Sequence, residues 1–265
     1  MKVAAPDGCA LHVDVQGDGE PVVLISGFGG LAGFWTGAVP QLAQRHRVVS
    51  FDHRGRGRSG RPPMGHSIRQ LASDVLAILD RLDIGRAALV GHSTGGIVAQ
   101  TLALDAPSRV GRIVLSGTWA RPDARFRLLF ETRLEVLQAA GPRAHARLSH
   151  IVGYPPEWIN AHEAEVEAAI TAAAGLSEAD QAIDVARLRM LLDHDRASDL
   201  GSVVAPALVI AATDDGIIPI NHGRELAAAI PGAQLILTDG GHFFPRINPD
   251  RFVGDIAGFL RGANG

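Results

Sequence analysis

The sequence predicts an α/β architecture, a mostly parallel sheet covered by helices on both faces, and three observations carry that reading. Short runs rich in valine and isoleucine alternate with longer stretches of helical periodicity. The runs are almost continuously apolar, as strands buried on both faces must be. The chain has 265 residues, 46% hydrophobic and 20% charged, enough for one sizeable core, since single cores stop growing near ~250–300 residues.

Taken in order, the strand candidates are Ala10 to Val15, Val22 to Ile25, Val48 to Phe51, Ala87 to Val90, Arg112 to Leu115, Ala207 to Ala212 and Gln234 to Leu237. The clearest helix is Ser67 to Leu82, where Ile68, Leu71, Val75, Ile78, Leu79 and Leu82 recur on one face at the 3.6-residue period. Ile97 to Leu104 and Asn221 to Ile230 follow the same pattern. Between Leu115 and Val203 the alternation stops: the patterns are helical, punctuated by Pro155 and Pro156, and no run reads as a strand. This stretch is an insertion, and a helical cap over the sheet is its natural reading. It carries Trp119, Phe126, Phe130, Tyr154 and Trp158, a large share of the few aromatics, which either seal the cap or line a pocket beneath it.

Composition excludes several function classes. A balance of 25 basic against 28 acidic residues gives a formal −3, which argues against nucleic acid or an anionic membrane as partner. Cys9 is the single cysteine, so neither an intrachain disulfide nor a four-cysteine metal site is available. No run approaches the ~18 apolar residues of a membrane span, and Pro6 and Asp7 interrupt the N-terminus before a signal core can form. A cytoplasmic protein is expected. Lys2 is the only lysine, which removes phosphate-loop and Schiff-base chemistry. His145 and His150 stand five apart, off one helical face, and His162-Glu163 lacks a second histidine four residues on, so no metal site is expected. Oligomeric state is not readable.

The chemistry concentrates in three places. Leu89-Val90-Gly91-His92-Ser93-Thr94-Gly95-Gly96-Ile97 reads strand, G-x-S-x-G, helix, the context of a nucleophile elbow that lifts Ser93 above the sheet. A serine hydroxyl needs a base, and the base needs an orienting carboxylate. His242 follows the strand candidate ending at Leu237 and the pair Gly240-Gly241, where α/β sheets build their sites. The carboxylate is expected between serine and histidine in chain order, and Thr213-Asp214-Asp215-Gly216 follows the strand ending at Ala212. Asp215 is the candidate, Asp214 the fallback and Asp123 a more distant third. Two amides are expected to hold the oxyanion: Thr94, which follows the nucleophile, and Phe28 in Ser26-Gly27-Phe28-Gly29-Gly30, whose glycines let the main chain approach.

That loop also imitates a dinucleotide fingerprint, Gly27-x-Gly29-x-x-Ala32 with Asp52 twenty residues beyond. An oxidoreductase holding a nicotinamide cofactor is therefore the rival of a different class. Against it, Phe34, Trp35, Gly37 and Pro40 occupy the segment that would have to be the phosphate-binding helix. Arg54, Arg56 and Arg58 read as a solvated loop, whereas Arg121, Arg125 and Arg127 in the insertion include a candidate for holding a substrate carboxylate.

With elbow, acid turn and histidine together, the chain resembles the α/β-hydrolase superfamily over nearly its whole length. Phe51-Asp52-x-Arg54-Gly55-x-Gly57-x-Ser59 and Asp214-Asp215-x-x-x-Pro219 match loops of its esterases, lactonases and cofactor-free haloperoxidases. Within it the chain is similar to enol-lactone hydrolases of the β-ketoadipate pathway and to aminoacrylate hydrolases of pyrimidine breakdown. The second likeness reaches Trp119-Ala120-Arg121, Phe126-Arg127, Phe130 and Tyr154-Pro155-x-x-Trp158. The resemblance implies an eight-stranded sheet, a core of residues 1–118 and 202–265, and a cap of residues 119–201 inserted after the sixth strand. It also implies no cofactor, a small-molecule substrate, and Trp119, Arg121, Phe130, Tyr154 and Trp158 as substrate-binding residues. The expected reaction is hydrolysis of an ester, lactone or related acyl bond through a covalent acyl-enzyme on Ser93, His242 and Asp215. The alternative keeps the triad and cleaves an amide, carbamate or carbon–carbon bond.

Overall fold

A computed structural model describes residues 1–62 and 66–262. Its eight strands are β1 (Lys2–Ala4), β2 (Ala10–Gln16), β3 (Glu20–Ile25), β4 (His46–Phe51), β5 (Ala87–His92), β6 (Val110–Ser116), β7 (Ala207–Ala212) and β8 (Gln234–Thr238). They form one sheet in the order β1-β2-β4-β3-β5-β6-β7-β8. The first two pairings, β1 with β2 and β2 with β4, are antiparallel, and every later one is parallel. The seven expected strands are present, six of them extended by one to three residues and β7 with the expected bounds. Strand β1 escaped the sequence reading because three residues carry no period.

Successive side chains alternate between faces, and both faces are covered. Val23, Ile25, Leu89, Ile113, Leu115 and Val209 pack on one side with helices α2 (Ile68–Arg81), α3 (Thr94–Asp105) and α8 (Ile220–Ala229). Val22, Leu24, Val90, Val114, Leu208 and Ile210 pack on the other with the short α1 (Val39–Leu42) and with α10 (Pro249–Arg261). Ser67 caps α2 by accepting from the Gln70 amide at 3.1 Å.

Between β6 and β7 the chain makes four helices: α4 (Ala124–Gly153), α5 (Pro156–Ala161), α6 (Glu163–Ala174) and α7 (Glu178–Leu192). Helix α4 breaks at Gly141, where φ is 80° just before Pro142. A short helix α9 (Phe244–Ile247) follows the last strand. Among the described residues no helix is long and apolar enough to cross a membrane.

Candidate active site

The loops after β3, β5, β7 and β8 all leave the carboxyl ends of parallel strands and converge over the sheet. At the end of β5, Ser93 has φ 52° and ψ −117°, a conformation that costs a side-chain-bearing residue about 1–3 kcal/mol and persists where its surroundings over-determine it. Those surroundings are evident: the Ser93 N–H donates to the Ser116 carbonyl at 2.8 Å, and the Thr118 hydroxyl donates to the Ser93 carbonyl at 2.8 Å. A Cβ on Gly91 would strike the Gly95 carbonyl, and one on Gly95 would strike the Ile25 carbonyl. The turn can therefore close only with glycine at both positions.

His242 donates from Nδ1 to Asp215 Oδ2 at 2.8 Å. The other carboxylate oxygen, Asp215 Oδ1, accepts from the Ile217 and Ile218 amides, each at 2.8 Å. An ionised carboxylate only accepts, so the shared proton belongs on Nδ1, and Nε2 is left able to take a proton. Asp214 points elsewhere, its Oδ2 accepting from Gly240 and Gly241 amides at 3.2 and 3.0 Å, which pins the turn that presents His242. Asp123 caps α4, accepting from the Phe126 amide at 2.7 Å.

Ser93 and His242 line one cavity of about 450 Å³ beneath the helical insertion. Among the described residues no hydrogen bond joins the hydroxyl to the imidazole, a looseness common before substrate tightens a site. The imidazole of His92 stacks on Phe34 and lies 4.8 Å from the His242 ring. Burial and the neighbouring His242 hold His92 well below the usual histidine range, so it backs the site as a neutral plate.

The loop after β3 passes close to Ser93: a Cβ on Gly27 would lie 3.1 Å from the Ser93 Cβ. Its Phe28 amide donates to no backbone carbonyl among the described residues. The Thr94 amide opens α3, where a helix has no internal acceptor to offer. Both N–H groups are thus available to a developing oxyanion.

The insertion residues divide. Phe130 and Tyr154 line the cavity. Trp119 does not: it is fully buried against Phe126 and Phe130, a large side chain filling the core. Arg121 lies at the surface, paired with Glu225 at 2.9 Å, and Trp158 is outside the lining, stacked between Tyr154 and His162. These three correct the expectation of substrate contact. The solvated reading of the arginine loop holds for Arg58, which is exposed, and is corrected for the other two. Arg54 is wholly buried, bound by Asp74 and Asp7, and Arg56 is buried with Asp184 as its partner, both lining the cavity. The dinucleotide rival fails on the same ground. Asp52 accepts from the Ala32 and Arg58 amides at 2.9 Å each, holding its own loop, and residues 32–35 make a single 3-10 turn in place of a phosphate-binding helix.

Sequence reasoning missed Arg133 and His145, which also line the cavity. The signal for Arg133 was present: Phe126, Phe130, Arg133 and Leu137 are buried together on α4, at the i, i+4, i+7, i+11 spacing of one helix face.

The family model for the alpha/beta hydrolase fold matches residues 20–246. The chain belongs to the α/β-hydrolase family. A protein of Azorhizobium caulinodans named "Putative carbamate hydrolase RutD" is 36% identical over 250 residues, covering 94% of each chain. One of the same name from Variovorax paradoxus is 39% identical over 237 residues, covering 88% of this chain and 89% of its own. Among solved structures, the enol-lactonase of Burkholderia xenovorans superposes with a TM-score of 0.90 at 26% identity, covering 99% of this chain and all of that one. The protein is thus a hydrolase of this family.

Proposed function

We propose that this α/β-hydrolase cleaves the acyl bond of a small carbamate through a covalent intermediate on Ser93. The observation that carries the reading is the His242–Asp215 pair at 2.8 Å, set in the same cavity as a serine held at φ 52°. Ser93 Oγ attacks the carbonyl carbon as His242 Nε2 accepts its proton, and Asp215 stabilises the imidazolium. The Thr94 and Phe28 amides hold the oxyanion, each worth about 2.7–4 kcal/mol of barrier. The imidazolium then protonates the leaving amine as the tetrahedral intermediate collapses. Water, deprotonated by the same histidine, releases the acyl group and frees the serine. Residues 119–201 act as the lid of a core made by 1–118 and 202–265, and Phe130 and Tyr154 contact substrate beneath it.

Two relatives named for carbamate hydrolysis support this bond type over the ester or lactone expected from the sequence and its family resemblance. The ester or lactone reading stays as the second, supported by the likeness to the enol-lactonase. A fluorophosphonate probe is expected to label the wild-type protein and to leave Ser93→Ala unlabelled with its fold intact. Equal labelling of both would end the covalent serine mechanism. Ammonia or amine release from a panel of small carbamates, set beside acid release from matched esters and lactones, then decides the bond.

A further inference from the structure

Three guanidiniums surround the ring of Phe28: Arg56 at 5.9 Å, Arg133 at 5.3 Å and Arg187 at 5.7 Å from its centroid. One carboxylate serves them, Asp184, and it pairs with Arg56. Among the described residues neither Arg133 nor Arg187 has a carboxylate within 4 Å. Arg187 is fully buried and is committed to the loop after β3, donating from Nη2 to the Phe28 carbonyl at 2.8 Å and meeting His53 Nδ1 at 3.2 Å.

Arg133 differs. It is only 4% exposed, it lines the cavity, and its one hydrogen bond is a long one from Nη2 to the Ser149 hydroxyl at 3.2 Å. Its Nε has no protein partner. The guanidinium lies against two aromatic rings, Phe28 and Phe130, 4.9 Å from the latter's centroid, and forms part of the cavity wall. Burial lowers Arg133 to about 10 and Arg187 to about 9, so both stay cationic near neutral pH. Burial, with Arg133 and Arg56 nearby, drives His145 down to about 3 and leaves it neutral. Two positive charges are therefore buried beside the cavity without internal compensation, and aromatic faces offset only part of that cost.

We propose that Arg133 is an anion receptor inside the catalytic cavity, binding a carboxylate of the substrate in the planar fork geometry that guanidinium and carboxylate share. The substrate class is thereby narrowed to small acyl compounds that carry a carboxylate as well as the bond to be cleaved. This rests on the serine-hydrolase reading for the reaction, though not for the binding. Arg187 and Arg56 add to the attracting field, and Phe28 joins the receptor to the oxyanion loop.

The binding arm uses Ser93→Ala, which cannot turn over. Glutarate is expected to bind it at least 10-fold more tightly than the neutral glutaramide in calorimetry. Adding Arg133→Gln is expected to weaken glutarate about 10- to 100-fold, the loss that follows removal of charged hydrogen bonds, with Arg133→Lys intermediate. Equal binding of glutarate and glutaramide, or glutarate binding indifferent to Arg133→Gln, overturns the proposal. Should Arg133→Gln fail to fold, the glutarate-to-glutaramide preference of Ser93→Ala alone decides. In the kinetic arm, wild-type kcat/KM for mono-4-nitrophenyl glutarate is expected to exceed that for 4-nitrophenyl valerate at least 10-fold. Absence of turnover and of fluorophosphonate labelling would overturn the serine mechanism, and the calorimetric preference would still judge the receptor.

Discussion

Replacing Asp215 with asparagine keeps the side chain's shape but exchanges one carboxylate oxygen for an amide NH2 and removes the negative charge, and the structure dictates which way the new amide must face. Oδ1 of Asp215 accepts two main-chain N–H groups, from Ile217 and Ile218, while Oδ2 faces His242 Nδ1. The asparagine carbonyl has to take the Oδ1 place. The opposite orientation would aim an NH2 group at two donors and forfeit two hydrogen bonds in a buried site, each at about 1–3 kcal/mol. The NH2 then points at Nδ1 and can only donate. His242 must accept there, so its proton moves to Nε2, where the base is needed. The expected result is a folded protein whose kcat falls about 10⁴-fold, as tautomer loss does in serine hydrolases generally, equivalent to about 5 kcal/mol of barrier. Steady-state hydrolysis of a 4-nitrophenyl ester measures it, with circular dichroism reporting the fold and the downfield proton resonance of a hydrogen-bonded Nδ1–H expected to vanish. Asp214→Asn keeps an oxygen for the Gly240 and Gly241 amides and is expected to lose less than 10-fold. Turnover by Asp215→Asn within 10-fold of wild type would refute the assignment of the orienting carboxylate.

Further expectations concern the frame. Gly95→Ala sets a methyl against the Ile25 carbonyl, with the Ile25 carbon at 2.6 Å and the Ser26 oxygen at 2.8 Å; main chain on both sides leaves no flexible end to yield. A destabilisation of about 3 kcal/mol and loss of most activity are expected in urea melts and assays, whereas Gly254→Ala, in open space on the exposed face of α10, is expected to stabilise by about 0.5–1 kcal/mol. Acid is a second perturbation. Burial lowers His145 to about 3 and His194 to about 4 from 6.5, and pushes His53 and His92 well below the same value. The unfolded chain therefore binds more protons below pH 6.5, and stability falls as pH drops through that value. At 1.36 kcal/mol per unit, His145 and His194 alone cost about 4 kcal/mol by pH 5. Urea denaturation at pH 7.5 and pH 5.0 measures this, and a difference under about 1 kcal/mol would contradict the neutral burial of these rings.

The sheet was legible because buried parallel strands carry unbroken apolar runs, and α2 because its apolar face repeats for four turns. The elbow was legible because a strand, two glycines and a helix bracket Ser93 in a way no ordinary turn needs. Long-range geometry was not. Nothing local distinguishes Asp215 from Asp214; the choice depends on which carboxylate meets a histidine 27 residues away and which meets the Gly240 and Gly241 amides. Trp119 and Trp158 looked like pocket walls because aromatic residues suit both pockets and cores, and only packing separates the two uses. Arg54 and Arg56 looked solvated because their counter-charges, Asp74 and Asp184, lie on helices far along the chain. Arg133 hid in plain sight on an apolar stripe, where a charged residue ought to have prompted the question of what it meets.

The two strands that flank the helical insertion pair residue for residue, Ile113 with Ala207 through Ser116 with Ile210, as though the intervening helices were a loop hung from a closed seam. Ser93, Asp215 and His242, the proposed nucleophile, acid and base, all belong to the sheet side of that seam, while Phe130, Arg133 and Tyr154 belong to the insertion. On the proposed mechanism, the residues that break the bond and several that choose it are therefore encoded in separable passages of the chain, so exchange or drift within the inserted passage would redirect the enzyme to new compounds while the machinery of cleavage is inherited whole.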